Sequence, residues 1–350
     1  MNHTDWTQFL QSIGGRFSGD RLVDFGDPMA ESMESLCGNV LADLSHWGVI
    51  RVTGRDAMIF LSGQFTCDVR KVSDEVSHTG AWCNPKGKVM VVFRLLHYGN
   101  GYHLLLPREL LEPTLKRLRM YVLRADVALA DSSESLVRIG LSGPSITESL
   151  AEAGYEPPAS PNLARQGSGH TLVRLHDGPH PRYLFLGEPK AAMSLWQRLG
   201  TSARPAGASA WDMLEILAGV PAVVPATAEA FLPQMLNLKE LGGISFTKGC
   251  YVGQEVVAKL EHLGRLKRRM VLASADTEHL PEPGAPVYHG GEPVGQVVVA
   301  APHPERKFVL LAVIEKTAMG ATDLQLKGTP LGLLTLPYPI QDSSATSERN

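Results

Sequence analysis

Two segments of this chain share one design, and that repetition constrains the fold more than any other feature. Residues 49–53 read as a strand that stops at Gly54, and Arg55 to Leu61 then looks like a helix start. Residues 137–142 repeat the strand and stop at Gly143, with Pro144 at a favourable first helical position. In each copy the glycine is followed seven residues later by a leucine, Leu61 and Leu150. The pattern fits a duplicated α+β module; convergence on one common turn gives the same pattern. At 350 residues the chain is too long for one small core.

The rest of the chain fills in around these units. Residues 81–96 look like a hairpin, with turn chemistry at Asn84-Pro85-Lys86-Gly87 and a nearly unbroken apolar strand from 89 to 96. Residues 103–106 form another strand, 109–121 have the spacing of an amphipathic helix, and 156–161 form a surface loop. Ser209 is placed to cap a helix through Ala218, with Trp211, Leu214 and Leu217 on one face and Gly219 and Pro221 closing it. From about Arg269 onward, short β segments at 270–273, 293–299, 308–314 and 329–334 are separated by Gly and Pro, which predicts a small all-β barrel. The expected division is an N-terminal extension over 1–35, two α+β modules over 36–265, a β-barrel over 266–340 and a disordered polar tail over 341–350.

The chemistry concentrates in Lys248-Gly249-Cys250-Tyr251-Val252-Gly253-Gln254-Glu255. Residues 241–247 before it suit a strand or extended arm, and Val256, Val257 and Leu260 after it recur at helical spacing. A cysteine at such a junction lies near unpaired backbone N–H groups and the positive end of the helix dipole. Both favour thiolate over thiol, and the neighbouring Lys248 pushes the same way. Gly249 and Gly253 admit backbone conformations, or a close ligand, that a side chain would forbid. A buried cysteine in a tight turn is the plainer alternative, but the lysine and glycines serve a reactive thiol better.

Bulk properties exclude some functions. The net charge of −3 gives no global field for nucleic acid or anionic membrane, so any such contact needs a local patch. The N-terminus lacks a basic region followed by an apolar core, and no window is long and apolar enough to span a bilayer, so a cytoplasmic location is expected. The four cysteines (Cys37, Cys67, Cys83, Cys250) form no close pair, which argues against disulfides and against a self-contained zinc or iron–sulfur site. Contact with a metal cluster would then come through another protein. Cys67 and Cys83 sit amid apolar neighbours and read as core. His46, beside Trp47, reads as structural, since no triad partners lie near it in sequence. Lys86 and Lys88 at the hairpin tip suit either a solvated turn or an anionic ligand. Lys259, His262, Arg265, Lys267, Arg268 and Arg269 form a basic run that suits tRNA or an acidic partner, or simply solvent, since no stacking aromatics are interleaved.

The stretch from Gly242 to Glu255 closely resembles the signature of the YgfZ family, which is related to the folate-binding aminomethyltransferase (T-protein) of the glycine cleavage system. Further segments agree in order: Phe60-Leu61-Ser62-Gly63-Gln64-Phe65-Thr66-Cys67-Asp68-Val69, Cys83-Asn84-Pro85-Lys86-Gly87-Lys88, Ala218-Gly219-Val220-Pro221 and Pro233-Gln234-Met235-Leu236-Asn237-Leu238. The resemblance covers roughly residues 43–336. It implies an α+β, aminomethyltransferase-like fold of three subdomains around a central channel that binds tetrahydrofolate or a derivative, with a C-terminal β-barrel. It also implies a role in iron–sulfur cluster assembly or repair, including support of iron–sulfur enzymes that modify tRNA, and hence partners among cluster proteins and assembly factors.

By the same resemblance, Cys250 is the reactive thiol and faces the channel. Lys248 lies beside it, placed to meet the folate's glutamate tail or to keep the thiol ionised. Gly249, Tyr251, Gly253, Gln254, Glu255, Asn237, Lys86 and Arg268 are the expected cofactor contacts, and Lys267, Arg268 and Arg269 an expected tRNA contact. No metal site is expected. Two departures stand out. The acidic pair of the true transferases aligns with Val91 and Val92, and valine transfers no proton, so classical aminomethyl transfer is not expected. Leu217 stands where relatives often carry a glutamate suited to the pterin ring, which leaves that route of pterin recognition without its carboxylate. The alternatives are a folate-dependent one-carbon transferase or demethylase with a rearranged acid, and a non-catalytic tRNA-binding module.

Overall fold

The computed structural model describes residues 3–340; the expected polar tail at 341–350 lies outside them. The described chain opens with helix α1 (His3–Ser12), a hairpin of β1 (Arg16–Ser18) and β2 (Arg21–Asp24), and helix α2 (Pro28–Cys37). Asp27 caps α2 by accepting from the backbone N–H of Met29 and Ala30, with Pro28 in the first turn, where its missing N–H costs nothing. This extension is built into the body of the protein. Trp6 and Leu10 are fully buried, and Trp6 Nε1 donates to Asp43 Oδ1 at 2.8 Å. Asp43 ends strand β3 (Val40–Asp43).

The first sheet is made of β4 (Trp47–Thr53), β5 (His78–Cys83), β6 (Val89–Tyr98), β7 (Gly101–Pro107) and β8 (Ala128–Asp131), with helices α3 (Ala57–Gln64) and α4 (Arg108–Arg119) in its connections. Its antiparallel order is β5-β6-β7-β4-β8. The second sheet uses β9 (Val137–Ser142), β10 (Ala164–Gly167), β11 (His170–Arg174), β12 (Arg182–Gly187) and β13 (Arg204–Ala206), with α5 (Ile146–Glu152) and α6 (Pro189–Leu199). Its order is β10-β11-β12-β9-β3-β13. Remove β3 and the two orders correspond strand for strand, each with a three-stranded meander pairing its last strand to the first strand of the unit.

The repeated glycines have a conformational reason. Gly54 has φ +113°, and a Cβ there would lie 2.0 Å from the Asp126 carbonyl oxygen. Gly143 has φ +155°, and a Cβ would lie 2.1 Å from Asn39 Oδ1. The helices begin later than expected, at Ala57 and Ile146, so Arg55 and Pro144 belong to the turns. Those turns are pinned by other side chains: Asp56 Oδ2 accepts from Asp126 N–H, and Asn39 Oδ1 accepts from Ser145 N–H.

Helix α7 (Ala208–Leu217) carries the chain from the second sheet toward the barrel. It starts at Gly207 rather than being capped by Ser209, because Glu31 of α2 accepts the Gly207 N–H from outside at 2.8 Å. Gly219 at φ +66° ends it, and its carbonyl accepts from Tyr338 Oη. Apart from Ser209, Asp212 and Glu215 the helix is wholly apolar, the pattern of a helix buried on several sides. Ala210, Trp211 and Leu214 pack on the second sheet, while Met213 and Ile216 join a core shared by the first sheet and the barrel. Trp211 fits because β9 has Gly140 beneath it, where a Cβ would lie 2.6 Å from the ring.

Residues 241–247 form no strand. They lie as coil on the first unit, where Ser245 N–H donates to Thr66 O and Thr66 Oγ1 donates to Gly243 O at 2.6 Å. Gly242 at φ +69° breaks the extended run that the alternation suggested. Helix α8 (Gln254–Leu263) follows, then a closed barrel of β14 (Arg268–Ala275), β15 (Pro286–His289), β16 (Glu292–His303), β17 (Lys307–Glu315), β18 (Gln325–Leu326) and β19 (Thr329–Leu334).

Gly54→Ala should lower stability by about 1–3 kcal/mol, the scale of a strained backbone, before any clash is added. A urea midpoint equal to wild type would show that the repeated glycine answers no conformational need.

Candidate functional site

A cavity of about 410 Å³ opens where the first sheet, α7 and the barrel meet. Val92, Phe93 and Arg94 of β6 and Leu105, Leu106 and Pro107 of β7 form one wall. Asp212, Glu215 and Ile216 of α7 form another, with Arg182 of β12 beside them. Pro283, Val299 and Ala300 close it from the barrel side, and Ser18, Asp20 and Arg21 reach it from the N-terminal hairpin. It is largely apolar with a few converging polar groups, the usual character of a small-molecule pocket.

Those polar groups are held in place. Arg182 is fully buried; its Nη1 donates to Glu215 Oε1 at 2.9 Å, its Nε to His176 O at 3.0 Å, and its guanidinium lies over the Trp211 ring. Arg94 donates to the side chains of Ser77, Thr79 and Asn162, and burial pulls its guanidinium down to about 10. Asp212 pairs with Arg21, and His46 Nε2 stands 3.6 Å from Asp212 Oδ1. Burial alone would raise the Asp212 carboxyl, but the hydrogen bond and charge of His46, together with Arg21, outweigh it and hold the group below its usual range. His46 Nδ1 is buried without a partner, and Nε2 has none besides Asp212. A polar ligand in the cavity would give Nδ1 one.

The Lys248–Glu255 motif lies elsewhere. Cys250 is exposed and does not line the cavity, a correction to its expected position facing the channel. Lys248 is buried and turned into the first unit, where its ammonium donates to the carbonyls of Ser62 (2.7 Å), Phe65 and Cys67 (3.1 Å). These lie at and just beyond the C-terminal end of α3, where a cation is favoured and carbonyls need donors. Nζ also lies 4.8 Å from the Tyr251 ring centroid. The lysine therefore fastens the loop instead of reaching a ligand, because three carbonyls in a dry site outcompete solvent. Gln254 Oε1 accepts from Tyr251 N–H, and Gly253 at φ +81° packs against the Asn84–Gly87 turn, where a Cβ would lie 2.5 Å from Asn84 O. The loop bearing Cys250 is thus pinned on both sides while its thiol faces solvent.

Other expected contacts also separate. Lys86 is exposed at its hairpin tip, and Asn84 Oδ1 organises that turn by accepting from Lys86 and Lys88 N–H. Asn237 is buried with φ +53° and donates to Met270 O, joining the strap to the barrel. Gly249 and Glu255 are exposed. Arg268 pairs with Glu315 on the barrel surface. Arg269 is turned inward against Glu240 at 3.4 Å, with both side chains at most 7% exposed, so it cannot serve a tRNA backbone. Lys267 stays exposed. Cys67 and Cys83 are buried, and burial pushes both thiols up to about 12. Among the described residues no cluster of His, Cys, Asp and Glu could hold a metal ion, and no helix is long and apolar enough to cross a membrane.

Sequence reading missed Asp212, Glu215, Arg94 and Arg182, and took His46 as structural. A signal existed: Arg94 interrupts an apolar strand, Arg182 opens one, and Asp212 and Glu215 are the two charges of an otherwise nearly apolar helix, and buried charges occur where something pairs with them. Leu217 is absent from the wall, whereas Glu215, two residues earlier on α7, lines it.

No family model matches the chain. A tRNA-modifying protein YgfZ of Colwellia psychrerythraea is 34% identical over 247 residues, spanning 71% of this chain and 75% of that one. The tRNA-modifying protein YgfZ of Photobacterium profundum is 30% identical over 312 residues, 86% and 92% of the two chains. Among solved structures, the glycine cleavage system aminomethyltransferase T of Bartonella henselae superposes with a TM-score of 0.75 at 16% identity, covering 94% of this chain and 96% of that one. That likeness shows the α+β aminomethyltransferase-like fold with its C-terminal barrel.

Burial lowers the Lys248 ammonium from 10.5 to about 8. The folded state therefore loses this proton before the unfolded chain does, and the linkage makes the fold gain stability as pH rises from about 8 toward 10.5. Denaturant unfolding of wild type and Lys248→Met at pH 7.5 and pH 9.5 should show wild type gaining relative to the variant. A constant difference between them would mean that the lysine titrates normally.

Proposed function

The chain belongs to the YgfZ family, and from that premise we propose that it is a tetrahydrofolate-binding accessory protein of tRNA modification that serves iron–sulfur enzymes through the Cys250 thiol. The observation that carries the folate part is the pair of α7 carboxylates, Asp212 and Glu215, in the wall of an otherwise apolar cavity. A pterin presents an amino group and a ring N–H along one edge, which a carboxylate accepts side by side. The unpartnered Nδ1 of His46 fits a ligand with further polar atoms, and the apolar walls fit flat rings. Bound tetrahydrofolate supplies a carrier for one-carbon units. Glu215 is held for such contact by Arg182, and Asp212 by Arg21 and His46.

Val92 lines the same cavity where the related transferases carry an acid. With a hydrocarbon there, no proton can be delivered from that position, which supports binding without aminomethyl transfer. Cys250 is open to solvent on a pinned loop, so its partner arrives from outside. That suits a thiol offered to the cluster of a client enzyme more than one acting on the folate. The names of the relatives supply the tRNA link, and Lys267 and Arg268 remain on the exposed surface for contact with RNA or a client.

Calorimetric titration with tetrahydrofolate separates the two parts. Asp212→Asn and Glu215→Gln should each weaken binding tenfold or more, with Asp212→Asn as the safer variant because Arg182 needs its buried partner. Cys250→Ala should bind folate as wild type does, yet fail to restore tRNA methylthiolation in cells lacking the native protein. Equal folate affinity in both carboxylate variants would remove the ligand from this cavity, and full rescue by Cys250→Ala would remove the thiol from the function.

A further inference from the structure

A second pocket, of about 380 Å³, lies on the outer side of the second unit, between the β10–β11 hairpin, the turn after α5 and the face of α6. None of its lining residues belongs to the cavity described above. Its base is aromatic. His170 stacks on Phe185 with ring centroids 5.0 Å apart and planes at 16°, and Tyr155 meets His170 edge-on at 5.2 Å. Burial lowers the His170 imidazolium, so near neutral pH the ring is uncharged. Leu172 adds to the apolar wall.

Two arginines from separate elements line the same pocket, together with the Glu156 carboxylate. Arg198 of α6 donates one N–H to Ala153 O at 2.9 Å, which steadies it and leaves most of its fork of donors. Arg165 of β10 pairs with Glu156 at 3.1 Å, but that carboxylate is 78% exposed, so an incoming anion displaces it at little cost. Gly154, at φ +83°, turns the backbone sharply at the edge of the pocket.

We infer that this pocket holds a nucleotide unit of single-stranded RNA, its base against Tyr155 and Leu172 and its phosphate between Arg165 and Arg198. Flat aromatic surface beside paired guanidiniums is the combination that unstacked RNA bases and their phosphates use. An acidic peptide would use the arginines but leave the ring wall without a partner. The pocket volume falls within the roughly 300–1,000 Å³ typical of ligand sites. The inference rests on the tRNA reading of the family and adds a location for the contact. It also explains how a chain of net charge −3 can meet RNA: locally, through two cations and a ring, without a global field.

The test is titration of the full chain with a fluorescently labelled short single-stranded RNA at several salt concentrations. Wild type should bind, and Arg165→Gln/Arg198→Gln should bind tenfold or more weakly, with the salt slope reduced by about 0.7, the value for one phosphate of a single strand. Circular dichroism melts check that the variant folds; if the loss of the Arg198–Ala153 contact lowers its melting point, Arg165→Gln alone carries the comparison. RNA binding that is unchanged in the double variant overturns the pocket and leaves the tRNA reading standing. Absence of RNA binding in wild type overturns both. Displacement of the RNA by polyglutamate as readily as by unlabelled RNA also overturns the inference, since charge alone would then account for it.

Discussion

Helix α7 is the element on which the rest depends, and its buried Arg182–Glu215 pair is the interaction that fixes it. Arg182 is wholly buried on the second sheet, and its charge is tolerable only because Glu215 and the His176 carbonyl answer it. Losing one partner of such a pair typically costs about 3–5 kcal/mol, because the other is left charged and dry. Trp211 adds to the constraint by lying on Gly140 on one side and beneath Arg182 on the other. The helix is therefore set in rotation as well as position. Its apolar faces then join the second sheet to the first sheet and barrel, and its two carboxylates face the cavity.

The same economy appears in the Cys250 loop. Lys248 is spent on the end of α3, Gln254 on the Tyr251 N–H, and Gly253 on close packing against the Asn84 turn. Lys248, Gln254 and Gly253, which looked like catalytic equipment, are fastenings. The thiol beside them is exposed, on a segment held at both ends. A fixed, open sulfur suits meeting another macromolecule, whereas the cavity suits a small molecule.

How much of this was legible before the fold was known follows from the kind of signal each feature leaves. The strand–glycine–helix repeat was visible because a positive φ leaves a glycine in sequence, and both Gly54 and Gly143 have one. The barrel was visible as short β segments between Gly and Pro. Residues 241–247 misled because alternation without a neighbouring strand edge gives an extended arm and no ladder. Arg269 misled for another reason: a basic residue in a basic run reads as solvated, and nothing local reveals that Glu240, twenty-nine positions earlier, waits beneath it.

The sequence by itself determined the elements, their repetition and the presence of one distinctive thiol, because helical periodicity, strand alternation and turn chemistry are short-range properties of consecutive residues. Only the tertiary structure decided which charges line the cavity and which hold the fold together. His46, Arg182 and the Asp212/Glu215 pair of α7 come from three distant stretches and acquire meaning from proximity, while Lys248 loses its apparent role to three carbonyls nearly two hundred residues away. A side chain's chemistry is set by its surroundings, and those surroundings exist only once the chain has closed on itself.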